Sequence, residues 1–315
     1  MASNLAHRPV LVTGAAGFIG RHLLPRLRAR GALVVALDER PPEGAAFDPN
    51  VTWLAGSVQV EADLTRALET LPAGEAVLFH LAGWSHVEQC ENDPAGARAL
   101  NVEAALNVAG LWRAQGYSKM VFPSTALVYA PACDGRSHEE DDPVQPAGVY
   151  TQNKLEAEQR LCALARVKGL SIEIARLSQI YGPGAAGDTV VAQAIGHALA
   201  GDPPVMRKPG EVLDFIHVQD VAEGLLRLAL LPETVGCQVV NLSSGRGHSV
   251  GQMAEMVRQM AGIHEGSPQV MGQKAANKVL VLNNTRLKAL TGWQPEYDLA
   301  AGLAQTWQEM KGRRG

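Results

Sequence analysis

The sequence has four cysteines, Cys90, Cys133, Cys162 and Cys237, widely spread and without a C-x-x-C pair, which argues against a disulfide framework and against a zinc site built on paired thiolates. No apolar run approaches the roughly 18 residues of a membrane span, and the stretch from Met1 to Pro9 lacks the apolar core of a secretory signal. A cytoplasmic, reducing location is therefore expected. There is no run of five or more basic residues and the formal net charge is −4, so neither nucleic acid nor an anionic membrane is expected as the main partner. The acidic run Glu139 to Asp142 has no second cluster to complete a set of metal ligands, so no metal is expected and the run reads as a solvated loop. Internal repeats and low-complexity segments are absent. At 46% hydrophobic and 19% charged residues the chain is too apolar to be disordered, and 315 residues suggest two domains or one with an annex.

Against this background one stretch stands out, Val10-Leu-Val-Thr-Gly14-Ala-Ala-Gly17-Phe18-Ile19-Gly20, which reads as a buried strand, a glycine turn and a helix start in succession. Gly14 ends the apolar run where the backbone must turn. Gly17 lets the main chain approach a phosphate without a side chain, and Gly20 lets the helix pack closely. Unpaired N–H groups and the positive end of the helix dipole then favour an anion such as a dinucleotide pyrophosphate. The spacing is G-x-x-G-x-x-G, so the glycines alone are weak evidence. Asp38 strengthens them: it closes a second apolar run, Ala32 to Leu37, about 24 residues after Gly14, near the distance at which an acidic residue meets the adenosine ribose.

Strand and helix patterns alternate through the first half, the signature of βαβ units, so the expected fold class is α/β, a doubly wound, Rossmann-like parallel sheet. A helix is expected from Gly17 to Arg30 with a kink at Pro25, then a proline-containing loop from Glu39 to Asn50. Strands follow at Val51–Leu54 and Ala76–Leu81 on either side of a helix at Val60–Leu71. A long helical segment is expected at Asn92–Gln115, opened by the cap and proline of Asn92-Asp-Pro94, then a strand at Lys119–Ser124, a helix at Tyr150–Lys168 and a strand at Leu170–Arg176. Beyond Ile180 the alternation weakens. The domain division expected is a dinucleotide-binding domain over 1–178, with 218–245 returning to it through a helix at Asp220–Leu231 and a strand at Cys237–Leu242, and a smaller mixed α/β substrate region over 179–315. Ser249 and Gln252 have the spacing of a capping box.

Tyr150-Thr-Gln-Asn-Lys154 places a phenol and an ammonium on one face of a helix. Coulomb attraction from Lys154 is expected to lower the Tyr150 pKa from about 10 toward that of a working general base. The pair follows a strand ending in Ser124-Thr125, in a chain that opens with a dinucleotide site. His80 and His217, each inside an apolar run, read as structural.

With these residues in hand, the chain resembles the extended short-chain dehydrogenase/reductases, and within them the NAD-dependent nucleotide-sugar epimerase/dehydratase group. The matching stretches span nearly the whole chain: Thr13 to Gly20, His80-Leu81-Ala82-Gly83, Asn101-Val102, Pro123 to Tyr129, Tyr150-x-x-x-Lys154, Arg176 to Pro183, Asp214 to Val218 with Asp220, and Leu290 to Pro295. The resemblance implies NAD as cofactor, held by Gly14, Gly17, Phe18, Ile19, Gly20, Asp38, Leu81, Ala82, Gly83, Tyr150 and Lys154. It implies Tyr150 as catalytic acid/base, Lys154 as its electrostatic partner, and Thr125 as the hydroxyl that binds the reacting oxygen, with Ser124 assisting. His86, Gln179, Arg207 and Arg286 are the further candidates for a nucleotide-diphosphate sugar. The sequence also departs from the pattern. The usual Arg before Asp-Phe-Ile-His-Val is Leu213, so Arg207, Lys208 or Arg286 would have to meet the diphosphate. Gln179 stands for an Asn. Ala55-Gly56-Ser57-Val58 lacks the aspartate that reads adenine, and Ala126-Leu127 replace the acidic residues of sugar dehydratases. The expected activity is that of an NAD-dependent nucleotide-sugar epimerase; a nucleotide keto-sugar reductase using NAD(P)H and a non-catalytic NAD-binding regulator remain as alternatives. Ala/Leu faces on Asn92–Gln115 and Tyr150–Lys168, together with the resemblance, lead us to expect a homodimer paired through a four-helix bundle.

Overall fold

The computed structural model describes residues 5–42, 50–130, 135–264, 268–270 and 278–312; Cys133, Pro49 and Pro131 lie outside them. The chain divides into two units: one comprises Met1–Val128, Pro143–Arg176 and Ala222–Val240, the other Tyr129–Asp142, Leu177–Val221 and Asn241–Gly315.

The first unit is built on a seven-stranded sheet. Its elements in chain order are β1 (Pro9–Thr13), α1 (Gly20–Ala29), β2 (Leu33–Asp38), β3 (Thr52–Ala55), α2 (Glu61–Thr70), β4 (Val77–His80), α3 (Val87–Asn92), α4 (Pro94–Arg98), α5 (Ala105–Ala114), β5 (Lys119–Thr125), α6 (Val149–Lys168) and β6 (Ser171–Leu177). The strand order is β10-β6-β5-β4-β1-β2-β3, where β10 is Gly236–Leu242, so the strand expected at Cys237–Leu242 does return to the main sheet, at its edge. Because β1 pairs in parallel with both β2 and β4, the strand order reverses beside it, the switch point at which a parallel sheet of this kind leaves a crevice at its carboxyl ends. β1, β4, β5 and β6 are buried along their whole length; β1 and β4 accordingly read as apolar runs, whereas β5 and β6 also bury the charged residues Lys119, Glu173 and Arg176.

Local chemistry sets the helix boundaries. α1 starts three residues later than expected and continues through Pro25. The long segment is divided: α3 ends at Asn92, and Asp93, not Asn92, is the cap, its Oδ1 accepting from the Gly96 N–H at 2.9 Å. Between α4 and α5, Ala99–Ala104 form a π-helical turn. α6 begins after Gly148, whose φ of 92° and close approach to Glu91 suit glycine; the Glu91 Oε1 accepts from the Val149 N–H at 2.8 Å and closes the helix start.

In the second unit β7 (Gln179–Tyr181) pairs with β9 (Val212–His217), which also pairs with β11 (Gly247–Ser249) and β13 (Val279–Leu280). α7 (Val190–Leu199), α9 (Val250–Met260) and α11 (Leu299–Gly312) pack their apolar faces together with Phe215. The short strands β8 (Val205–Met206) and β12 (Gln269–Val270) pair beside them. α8 (Val218–Ala229) contains the boundary between the units, and α10 (Thr285–Thr291) precedes Trp293. The capping box of Ser249 and Gln252 forms as expected. Asp214 is the buried hub: its carboxylate accepts from the N–H groups of Ser244, Gly245 and Leu282 and from the hydroxyls of Ser178 and Ser244.

Two expectations are corrected here. Residues 129–142 group with the second unit rather than lying within 1–178, because Tyr129 donates to Asn241 Oδ1 at 2.7 Å and His138 exchanges backbone hydrogen bonds with Val281 and Asn283. The run Glu139–Asp142 is only partly solvated: Glu139 and Asp141 are exposed, but the run is tied down by its partners. Glu140 is buried and accepts from the Asn241 N–H, Asp141 pairs with Arg286, and Asp142 pairs with Arg136. Among the described residues, no helix is long and apolar enough to cross a membrane.

Within the first unit Lys119 and Glu173 form an ion pair of 2.7 Å with side chains 0% and 4% exposed. Breaking such a pair leaves one charge stranded and typically costs about 3–5 kcal/mol. Lys119→Met is expected to destabilise by about that amount near neutral pH, and Lys119→Met/Glu173→Leu to recover most of it, in denaturant unfolding. Burial already pushes the Glu173 carboxyl up and Lys119 pulls it down. Without Lys119 the folded-state pKa rises further above the unfolded one, so the deficit of the single variant should grow as pH rises through the carboxylate range and shrink below it. A deficit independent of pH would contradict this.

Candidate active site

The turn after β1 is held from three sides. Gly14 has φ 65°, and a Cβ on it would lie 2.6–2.8 Å from the backbone of Leu81 and Ala82, so glycine lets the exit of β4 cross directly over the turn. A Cβ on Gly20 would press into the Ala15 backbone, so the close approach is of helix to turn. Asp38, at the end of β2, accepts from the Ala16 N–H at 2.9 Å and from the Arg40 N–H at 3.0 Å, which pins the turn to the neighbouring strand. Phe18 and Ile19 are half-buried in the last turn before α1. Gly17 differs: a Cβ there would meet the Gly14 carbonyl at 3.0 Å and nothing else within 4 Å. Its other side is bare backbone at the crevice beside β1, the surface a pyrophosphate needs.

Leu81, Ala82 and Gly83 leave β4 beside this turn, with the Leu81 N–H donating to Thr13 O at 3.0 Å. Asn101, from the π-helical turn, clamps the next residue through both ends of its amide: Oδ1 accepts from the Trp84 N–H at 2.8 Å and Nδ2 donates to Trp84 O at 3.0 Å. A Cβ on Gly83 would lie 2.8 Å from Asn101 Oδ1 and 4.0 Å from Lys154 Nζ. Sequence reasoning assigned Asn101 no role; a buried amide in an otherwise Ala- and Leu-rich helical segment was the signal available.

At the end of β5, Ser124 and Thr125 are 4% and 7% exposed. Thr125 shares a hydrogen bond with the Tyr150 phenol and its Oγ1 accepts from the Leu127 N–H. Ser124 Oγ is buried with no hydrogen-bond partner among the described residues, a donor left for something else. One helical turn beyond Tyr150, Lys154 Nζ donates to Pro123 O at 3.0 Å and lies 4.7 Å from the centre of the Phe122 ring. The structure therefore brings Thr125, Tyr150 and Lys154 together.

The electrostatics differ from expectation. Burial raises the Tyr150 pKa to about 12, against the opposing hydrogen bond from Thr125. Desolvation of the phenolate outweighs the Thr125 hydrogen bond, and Lys154 is engaged with a carbonyl and a ring face. Burial also lowers the Lys154 pKa to about 8, with Glu158 opposing. His80, bonded to Thr13 Oγ1 through Nδ1 at 2.8 Å, is lowered to about 3 by burial and then by Lys154; it is a neutral structural group.

The substrate candidates are divided between the two units. His86 is exposed at the start of α3 in the first unit. Gln179, Arg207 and Arg286 belong to the second: Gln179 is half-buried in β7, Arg207 is exposed just after β8, and Arg286 is paired with Asp141 at 2.5 Å and Glu140 at 3.4 Å. Arg286 is thus already neutralised. Leu213 packs on the apolar cluster of α7, α9 and α11, so this position contributes to a core and offers no cation. Ser57, where an adenine-reading aspartate was missing, donates through its hydroxyl to Glu39, and its N–H donates to Asp63 at 2.9 Å.

The two glycines make separable demands. Gly14→Ala is expected to lower stability by about 1–3 kcal/mol, the usual scale of imposed backbone strain, and to weaken dinucleotide binding. Gly17→Ala should melt near the wild type while losing affinity for NADH by fluorescence titration. Wild-type affinity in folded Gly17→Ala would refute the assignment of the turn.

The pattern of the NAD dependent epimerase/dehydratase family matches residues 10–243. The UDP-glucose 4-epimerase of Mycolicibacterium smegmatis is 30% identical over 311 residues, 94% of this chain and 96% of that protein. The UDP-glucuronate 4-epimerase of Thermodesulfobacterium geofontis is 27% identical over 313 residues, 94% of each. The crystal structure of the Thermus thermophilus UDP-glucose 4-epimerase in complex with NAD aligns with a TM-score of 0.85 at 28% identity, covering 96% of this chain and 99% of that one. With its glycine turn, its Thr–Tyr–Lys cluster and its sheet order, the chain belongs to the NAD-dependent epimerase/dehydratase family, and its cofactor is NAD.

Proposed function

We propose that this protein is an NAD-dependent epimerase of a nucleotide-diphosphate sugar, inverting one carbon through a transient keto sugar. The observation that carries the reading is the hydrogen bond between Thr125 and Tyr150 at the end of β5, with Lys154 one turn along the same helix. Bound NAD would supply a hydride acceptor that later acts as donor. Thr125 and the unpartnered Ser124 would hold the reacting sugar oxygen, and Tyr150 would take its proton and return it. With its pKa at about 12, the phenol rests protonated, so it is ready to protonate a keto oxygen and must be helped to release its proton in the opposite direction. Lys154 is the cation placed to help, and would also hold the nicotinamide ribose. The turn glycines and Asp38 would hold the rest of the cofactor, the Asp38 carboxylate favouring a ribose diol over a 2′-phosphate by charge.

The similarity to UDP-glucose and UDP-glucuronate 4-epimerases supports a UDP-sugar and inversion at its fourth carbon. His86, Gln179 and Arg207 are the proposed substrate contacts; Arg286 would take part only by exchanging its carboxylate partners for a diphosphate. Free thiols at Cys90, Cys162 and Cys237 support a cytoplasmic location. We also infer a homodimer paired through α5 and α6, which pack side by side in the first unit; Glu156 and Arg160 of α6 pair with one another, and Arg160 with Glu103 of the preceding π-helical turn, on their exposed side.

The test is turnover of UDP-glucose and UDP-glucuronate without added cofactor, in wild type and in Tyr150→Phe. Losing only a hydroxyl should leave folding and NADH affinity nearly unchanged while turnover falls at least about 100-fold, the lower range for a general acid–base group. Lys154→Met should damage both turnover and NADH affinity. Near-normal turnover by Tyr150→Phe would overturn the reading.

A further inference from the structure

We propose that Glu158, clamped by Arg176, is a positioning residue that keeps Lys154 in its ammonium form inside a desolvated site. The inference rests on the role given to Lys154 above and extends it to a pair outside the reacting cluster.

Tyr150, Lys154 and Glu158 follow one another at intervals of four along α6 and so form a single row on its surface. Glu158 is 3% exposed and Arg176, on β6, is 6% exposed. The guanidinium grips the carboxylate through Nε at 3.2 and 3.3 Å and through Nη2 at 2.8 Å. A buried pair of this kind is costly to assemble and gives little net stability, so its presence beside Lys154 invites a reason other than folding.

The reason lies in what else faces Lys154. Tyr150 on the same helix is a neutral phenol, held protonated by burial. His80 from β4 is neutral. Cys90 from α3 is a thiol pushed upward by burial and by Glu91. β5 contributes the Pro123 carbonyl and the Phe122 ring, and the loop after β4 contributes Gly83. Among these groups Glu158 is the one full negative charge. Burial pulls the Lys154 pKa down to about 8, and Glu158 is the largest influence holding it up. Arg176, on β6, holds the Glu158 carboxylate in place through three hydrogen bonds. Glu158 lies one helical turn from Lys154 on the same row of α6, and Arg176 reaches the carboxylate from a different element, β6.

The prediction concerns a pH limb. Lys154 holds the cofactor as a cation, so protection by NADH against heat should fall as pH rises through about 8 in the wild type. Glu158→Gln removes the supporting anion and strands the Arg176 cation, so the limb should move down by roughly 1 pH unit, the scale expected for one charge at helical spacing. Glu158→Gln/Arg176→Gln restores a neutral polar pair that can pack, and its limb should fall between the two. The measurement is the NADH-induced rise in melting temperature from pH 6 to 9.5, with kcat/KM on the UDP-sugar turned over as a second profile. Limbs that coincide in all folded variants would overturn the proposal; if the single variant does not fold, the double variant decides alone. Lys154→Met separates this from failure of the underlying reading. If it abolishes the limb, Lys154 has its role whatever Glu158 does; if the limb persists, the role of Lys154 itself is wrong.

Discussion

Desolvation at the inner end of α6 is the constraint on which the rest of the site depends. The first turns of this helix lie against β5 and under α3, and that packing moves both titrating groups toward their neutral forms, Tyr150 upward and Lys154 downward. An acid–base pair in water would have the opposite problem, with the lysine fully charged and its field screened. Burial makes a single positive charge effective at short range, provided something keeps it. The donation to Pro123 O, the Phe122 ring and the Glu158 carboxylate are the groups available for that purpose.

The same economy of space governs the cofactor side. Gly14 is required because the exit of β4 crosses the turn, and the exit of β4 is held there by Asn101 from a helical turn widened to reach it. Lys154 Nζ lies near the same loop, 4.0 Å from where a Cβ on Gly83 would stand. The glycine turn, the loop after β4 and the first turns of α6 are thus one packed assembly, and the bare face of Gly17 is what it leaves open. A Rossmann-like sheet supplies the setting, but the chemistry comes from these contacts rather than from the fold class.

Much of this was legible in the residues. The glycine spacing, Asp38 after a second apolar run, and the four-residue interval from Tyr150 to Lys154 are local patterns with local causes, and the buried strands β1, β2 and β4 announce themselves as apolar runs. What escaped was set by partners far away in the sequence. The acidic stretch Glu139 to Asp142 looked solvated because Asn241 and Arg286, which meet Glu140, lie more than a hundred positions away. The widened turn around Asn101 follows from a backbone target at Trp84, which periodicity does not encode. The direction of the Tyr150 shift was missed because helical spacing suggests an attraction to Lys154, whereas the desolvation that sets the shift exists only in the packed structure.

In an epimerase of this kind the inverted carbon would give up its hydrogen to NAD and receive the same hydrogen back, with Tyr150 moving only the proton on oxygen. Turnover in heavy water, followed by mass spectrometry of the sugar product after back-exchange of its hydroxyls, tests this most directly. The account predicts a product carrying no carbon-bound deuterium. Incorporation of one deuterium at the inverted carbon would mean that the hydrogen had left as a proton into solvent, and would contradict it.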